Sequence, residues 1–228
     1  MSLSENILRF FRQLNIETPL PKGVEVLNPY RDENTFKLCE QFYRKYYHDE
    51  RERHLIIGIN PGRFGGGLTG IPFTDPHKLE AICKIPNTLH KKSELSADFI
   101  YSVITAFGGP ENFYPKFYFS SVSPLGFTKD GKNLNYYDLP QLQSALKPFI
   151  IECMKMQLSF GLNKETCFIL GEGKNYVFMN ALNQEFQFFK KLVPLSHPRF
   201  IMQYKRKKLK NYIEQYVNAL RAPLITRE

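Results

Sequence analysis

Apolar positions in "MSLSENILRFFRQLNIE" return at helical spacing with Glu5 and Arg9 among them, which predicts an amphipathic helix from Leu3 to Leu14 and not a signal peptide. Proline-rich "ETPLPKGVEVLNPY" reads as a connector, and Asn34 or Thr35 caps a second helix reaching about Tyr46. "RHLIIGIN" is short, apolar and closed by Pro-Gly, the pattern of a buried parallel strand. Beyond a glycine-rich loop, Thr74 to Ser93 carries little pattern. "LSADFIYSVITAFGG" is a helix entered near Ser93 or Ser96 and stopped by Gly108 and Gly109. "KFYFSSVSPLGF" reads as a second strand, Cys167 to Leu170 as a third and Lys191 to Leu195 as a fourth. Helices are predicted at Leu142 to Phe160, where Pro148 argues for a break or kink, at Asn175 to Asn183, and over the last part of the chain.

Strands that alternate with helices imply an α/β protein, a three-layer α/β/α arrangement around a mainly parallel four-stranded sheet. Ligands of such sheets bind beyond the carboxyl ends of the strands. Polar chemistry gathers there: Asn60 after the first strand, Ser120, Ser121 and Ser123 in the second, His197 after the fourth. With 228 residues, 43% of them hydrophobic, the chain suits one sizeable core and a single domain over 1–228, residues 1–30 being helix and connector.

A net charge of +9 points to a polyanionic partner, nucleic acid before membrane, since no amphipathic basic anchor stands out; a merely soluble basic protein is the plainer reading. The cysteines, Cys39, Cys83, Cys153 and Cys167, form no C-x-x-C pair and read as reduced thiols of an intracellular protein, with no metal site. No apolar run approaches the ~20 residues that span a bilayer.

"GINPGRFGGGLTGIPF", Gly58 to Phe73, is the densest chemical signal. "GGGLTG" matches G-x-G-x-x-G, yet the dinucleotide fingerprint must open a helix directly after its strand, and here Pro72 and Pro76 follow the last glycine. A phosphate loop would end in G-K-[ST], which is missing. A loop wrapped around a planar ring fits better, with backbone N–H groups brought close at Gly62 and Phe73 offering a stacking face.

The same stretch resembles the first motif of uracil-DNA glycosylases of the SMUG (single-strand-selective monofunctional) type, G-[MI]-N-P-G-x-F-G-x-x-x-T-G-x-P-F. The mismatch-specific branch shares G-I-N-P-G and T-G-x-P-F, but has a shorter loop and a second motif that begins Asn-Pro-Ser. Here "SHPRF" keeps the His-Pro of the SMUG type, and "NFYPKFYFSSVSPLGF" also follows it, so the resemblance runs from about Leu55 to Leu220.

What the resemblance implies is a uracil-DNA glycosylase-like fold and a monofunctional enzyme that hydrolyses the N-glycosidic bond of uracil in DNA, starting base excision repair as a monomer without cofactor or metal. Asn60 would orient the attacking water and His197 would bond to uracil O2 as negative charge grows there. Phe73 would stack on the base, and the backbone of Ile59 and Gly62 would line its edge. Asn60 as a turn cap before Pro61, and His197 as a structural residue, are the plainer alternatives. No lysine matches a Schiff-base nucleophile, so strand cleavage is not expected.

Two departures bear on specificity and DNA contact. Ser121 stands where the SMUG type has Asn; a hydroxyl cannot donate and accept bidentately as an amide does, which would widen the base range towards xanthine or hypoxanthine. The family's His-Pro-Ser-Pro-Arg-Asn-Pro becomes "HPRFIMQYK". Arg199, Phe200, Ile201 and Met202 either form the wedge that enters the base stack or start a buried helix. "KRKKLK", with Lys205, Arg206, Lys207 and Lys208 at its head, would clamp phosphates or merely form a solvated face. A non-catalytic DNA-binding module on a glycosylase fold stays open as the alternative function. A small-molecule nucleotide enzyme would leave the basic run unexplained.

Overall fold

The computed structural model describes residues 1–225. Helix α1 (Leu3–Gln13) opens on a reciprocal cap, in which Ser2 accepts the Glu5 N–H and Glu5 accepts the Ser2 N–H. Strand β1 (Val24–Leu27) lies within the segment expected to be a bare connector. Helix α2 (Glu33–Tyr47) starts earlier than expected, because the Asp32 carboxylate accepts the Thr35 N–H at 2.8 Å and is itself the cap.

Strand β2 (His54–Gly58) leads through the glycine loop to the short helices α3 (Gly66–Thr69) and α4 (Pro76–Ala81). Helix α5 (Leu95–Phe107) stops at Gly108, whose φ of 117° lies in the left-handed region, and α6 (Pro110–Phe113) turns the chain into β3 (Phe117–Ser121). The segment expected to extend that strand turns away. It becomes β4 (Gly126–Lys129), which folds back on β5 (Lys132–Leu134).

Helix α7 (Pro140–Leu158) runs unbroken through Pro148. Pro148 and Ser144, whose carbonyl loses its helical donor, both lie on the exposed side of the helix, where a missing helical bond costs least. Strand β6 (Thr166–Leu170), α8 (Lys174–Phe186), β7 (Lys191–Leu195), α9 (Pro198–Tyr204) and α10 (Leu209–Ile225) complete the order.

The main sheet is parallel, in the order β3-β2-β6-β7, with helices on both faces, a three-layer α/β/α fold. Every residue of β2, β3 and β6 is buried, which accounts for their near-continuous apolar sequence. Gly58 pairs with Ser121 and Leu170 with Leu195, so the carboxyl ends lie level and Asn60, Ser121 and His197 emerge along one edge.

A second, antiparallel sheet, β1-β4-β5, stands at that edge. Its hairpin turns on Asp130 (φ 50°) and Gly131 (φ 67°), the two left-handed residues that a tight type I′ turn requires. An aromatic cluster that includes Phe42, Tyr43, Tyr47, Tyr114 and Tyr118 fills the core on the α2 side of the sheet. The cysteines are free and buried. Among the described residues no helix is long and apolar enough to cross a membrane.

Candidate active site

Asn60, two residues past β2, is held by the hairpin sheet. Its Oδ1 accepts the Tyr136 N–H at 3.0 Å, while Nδ2 donates to the carbonyls of Leu134 at 3.2 Å and Pro61 at 3.4 Å. Leu134 and Tyr136, 74 and 76 residues further along the chain, give the amide one orientation, beyond what a local turn cap provides. The hairpin also grips the glycine loop, since Asn133 Oδ1 accepts the Arg63 N–H at 3.2 Å.

The loop itself is partly helical. Gly66–Thr69 forms a single turn, against the expectation that the following prolines forbid a helix; it is short enough to finish before Pro72. Thr69 Oγ1 donates to the Thr74 carbonyl at 2.7 Å and closes the next bend, in which Phe73 sits at φ 55°. That left-handed conformation is uncommon for an aromatic residue and persists where the surroundings enforce it. The Phe73 ring lies directly over Gly58: a Cβ there would come within 2.6 Å of Phe73 Cζ, so only glycine lets the ring descend onto the sheet.

Ser121 ends β3 and faces the same space. Strand alternation separates it from its neighbour: Ser120 points to the other face and donates to the Gln157 side chain, while Ser123 donates to the Leu125 carbonyl at 2.8 Å. Of Ser120, Ser121 and Ser123, only Ser121 lines the cavity, joined there by Ser96 from the start of α5.

His197 caps α9, its Nδ1 accepting the Arg199 N–H at 3.2 Å. That bond puts the ring proton of the neutral imidazole on Nε2 and makes that nitrogen a donor. Burial, helped by the Arg199 guanidinium, lowers the imidazole to about 4, so it is neutral at physiological pH. The Tyr216 hydroxyl donates to the Ser196 carbonyl and ties this corner to α10.

These groups surround one cavity of about 100 Å³. It is several-fold smaller than the roughly 300–1,000 Å³ of drug-sized ligand sites and is on the scale of a single ring. Ile59, Asn60, Gly62, Phe73, Ser121, His197 and Arg199 all line it, and so do Glu94, Asn133 and Asn135, which the sequence reading did not single out. Glu94 lies between the unpatterned stretch and the helix that follows it, where nothing in the spacing marks it. For Asn133 the Asp-Gly turn signal was there to be used. Burial first, then the Asp75 carboxylate, raises the Glu94 carboxyl to about 7.

The segment after His197 corrects the proposed wedge. Ile201 and Met202 are 0% and 8% exposed, packed on the inner face of α9, and cannot enter a base stack. Phe200 and Tyr204, one helical turn apart, are 43% and 71% exposed, with ring centroids at 5.5 Å. Lys205 lies over the Phe200 ring, and Arg206, Lys207 and Lys208 follow, all exposed. Phe200 and Tyr204 border a groove of about 650 Å³ that meets the small cavity at Ile59, Asn135, His197 and Arg199.

The parallel sheet thus carries, at its carboxyl edge, a ring-sized cavity lined by both the Asn60 amide and the His197 imidazole. The model of the uracil DNA glycosylase superfamily matches residues 45–221, and the chain belongs to that superfamily, whose members are base-excision-repair glycosidases. Within it the chain is of the SMUG type. It is 47% identical to wild-type SMUG2 of Pedobacter heparinus, whose crystal structure superposes with a TM-score of 0.95 over 97% of this chain and 98% of that one.

Proposed function

We propose that this protein is a monofunctional DNA glycosylase that hydrolyses the N-glycosidic bond of uracil, and also accepts xanthine or hypoxanthine. The observation that carries this is the meeting of Asn60, Phe73, Ser121 and His197 around one ring-sized cavity.

A base in a duplex is out of reach, so the nucleotide is extruded into the cavity. Phe73 stacks on it. As the glycosidic bond lengthens, the sugar gains oxocarbenium character and the departing base gains negative charge. The His197 Nε2–H, fixed as a donor, bonds to the carbonyl oxygen where that charge collects, and the clamped Asn60 amide orients the attacking water. Ser121 offers one rotatable hydroxyl to the base edge. Among the described residues no lysine lines the cavity, which favours hydrolysis over a Schiff-base route. Outside the cavity, Phe200 with Tyr204 takes the wedge position, and Lys205, Arg206, Lys207 and Lys208 hold phosphates.

The test is alkali cleavage of uracil-containing oligonucleotides after incubation with the protein. Cleavage that disappears in Asn60→Ala or His197→Ala while DNA binding persists supports the enzyme. Salt-sensitive binding that never yields an abasic site supports a non-catalytic module.

A further inference from the structure

Hydrolysis requires a proton to leave the attacking water as its oxygen bonds to C1′ of the sugar. Asn60 is an amide and cannot take it. His197 has its Nδ1 lone pair engaged by the Arg199 N–H, and its other nitrogen already carries the ring proton. The Arg199 guanidinium offers donors and no acceptor. Among the cavity-lining residues the remaining titratable side chain is that of Glu94.

We propose that Glu94 accepts the proton of the attacking water, a role that rests on the glycosylase reading above. Glu94 occupies the cap position of α5, yet its side chain bonds none of the free N–H groups of that helix. It turns back against the glycine loop instead. A Cβ on Gly65 would overlap its carboxylate, and one on Gly62 would lie 3.5 Å from Oε1. Among the described residues no donor reaches either carboxylate oxygen; the polar contacts of Glu94 are made by its backbone, whose N–H goes to Asp75 at 3.0 Å and whose carbonyl accepts the Asp98 N–H at 3.0 Å. A half-buried carboxyl that lines the cavity and lacks a donor has its lone pairs available to a ligand.

The charges around it come from three directions. Asp75, at the start of α4, and Asp98, on α5, favour its protonated form, while Arg199, on α9, favours the carboxylate. Lys78 pairs with both aspartates and tempers them. The balance lies near neutrality, where a proton acceptor works best. In the step, a water lone pair bonds to C1′ and the C1′–N electron pair leaves with the base. One water O–H bond breaks, its proton passing to a Glu94 carboxylate oxygen and then to solvent; the base anion is reprotonated from solvent.

Single-turnover release of uracil from a single-stranded oligonucleotide, followed from roughly pH 5.5 to 9, tests this. In the wild-type protein the rate should fall about tenfold per pH unit below about 7 and level off above it. Glu94→Gln should be on the order of 10²-fold slower at pH 8 and lose that inflection. Formate should restore part of the rate in Glu94→Ala. A residue that only buttresses the loop gives the opposite: Glu94→Gln slows release evenly, keeps the inflection, and formate does nothing. That result overturns the proposal, as does a Glu94→Gln rate within about threefold of wild type. If the variants fold poorly, the wild-type profile decides, and a flat profile through pH 7 rejects Glu94. A wild-type protein that releases no base at any pH removes the glycosylase reading itself, a different failure.

Discussion

The backbone N–H of Tyr136 lies 3.0 Å from Oδ1 of Asn60, and the Leu134 carbonyl lies 3.2 Å from its Nδ2. Two backbone groups of one segment thus read both ends of a single side-chain amide and set its direction towards the cavity. Asn60→Ala should therefore do two things. Uracil release should fall by on the order of 10²-fold, because the water loses its orientation. Folding stability should drop by about 1–3 kcal/mol, because both backbone groups lose a partner. Single-turnover kinetics and thermal melting measure the two effects separately.

Ser121 pairs with Gly58 across the sheet and offers a hydroxyl where the SMUG type has an amide. Ser121→Asn should narrow the range of bases, lowering xanthine and hypoxanthine release relative to uracil by about tenfold or more. A panel of uracil, xanthine, hypoxanthine and cytosine oligonucleotides checks this. Strict uracil preference in the wild-type protein, unchanged by the substitution, would speak against the serine as the determinant.

His197 is held at about 4, against an ordinary 6.5, by burial and then by Arg199. As pH falls through 6.5 the unfolded chain takes up a proton that the folded chain refuses. The contribution to stability is therefore complete above about 6.5 and is lost progressively until pH passes about 4. Glu94, raised to about 7, has the opposite sign: its contribution favours the fold at low pH and disappears as pH rises through 7. Comparing His197→Gln with wild type cancels the Glu94 effect. The wild-type melting temperature should drop more steeply than that of the variant between pH 6.5 and 4, and parallel curves would show that His197 is not buried neutral.

On the DNA-facing side, Phe200→Ala should weaken binding of uracil-containing DNA while leaving the fold intact, since 43% of the residue faces solvent. Ile201→Ala should instead cost about 2–5 kcal/mol of stability as a core truncation. Lys207→Ala should lower the salt dependence of DNA binding by about one unit of slope. Equilibrium binding at several salt concentrations, with melting curves for each variant, separates the three behaviours.

Much of this was legible in the sequence because it rests on short-range pattern. The apolar runs of β2, β3, β6 and β7 mark a buried parallel sheet, and their polar followers mark its working edge. What escaped depends on tertiary context. Strand β1 and the β4–β5 hairpin are short and carry weak period-two pattern, although Asp130-Gly131 is a turn signal with a clear mechanism. Whether Ile201 and Met202 face DNA or the core turns on the rotation of α9, which no local pattern in seven residues fixes. Glu94 is invisible for a related reason: an acidic residue at a helix entrance ordinarily serves the helix, and here the fold points it into the cavity.

The central claim is that an extruded uracil meets Asn60 and His197 in one cavity and leaves as a free base. Mass analysis of an oligonucleotide carrying a single uracil, before and after incubation with the protein, tests it most directly. The account predicts an intact strand lighter by the released base, one free uracil per abasic site, and neither product with Asn60→Ala or His197→Ala. A strand of unchanged mass, or equal release by both variants, would contradict it.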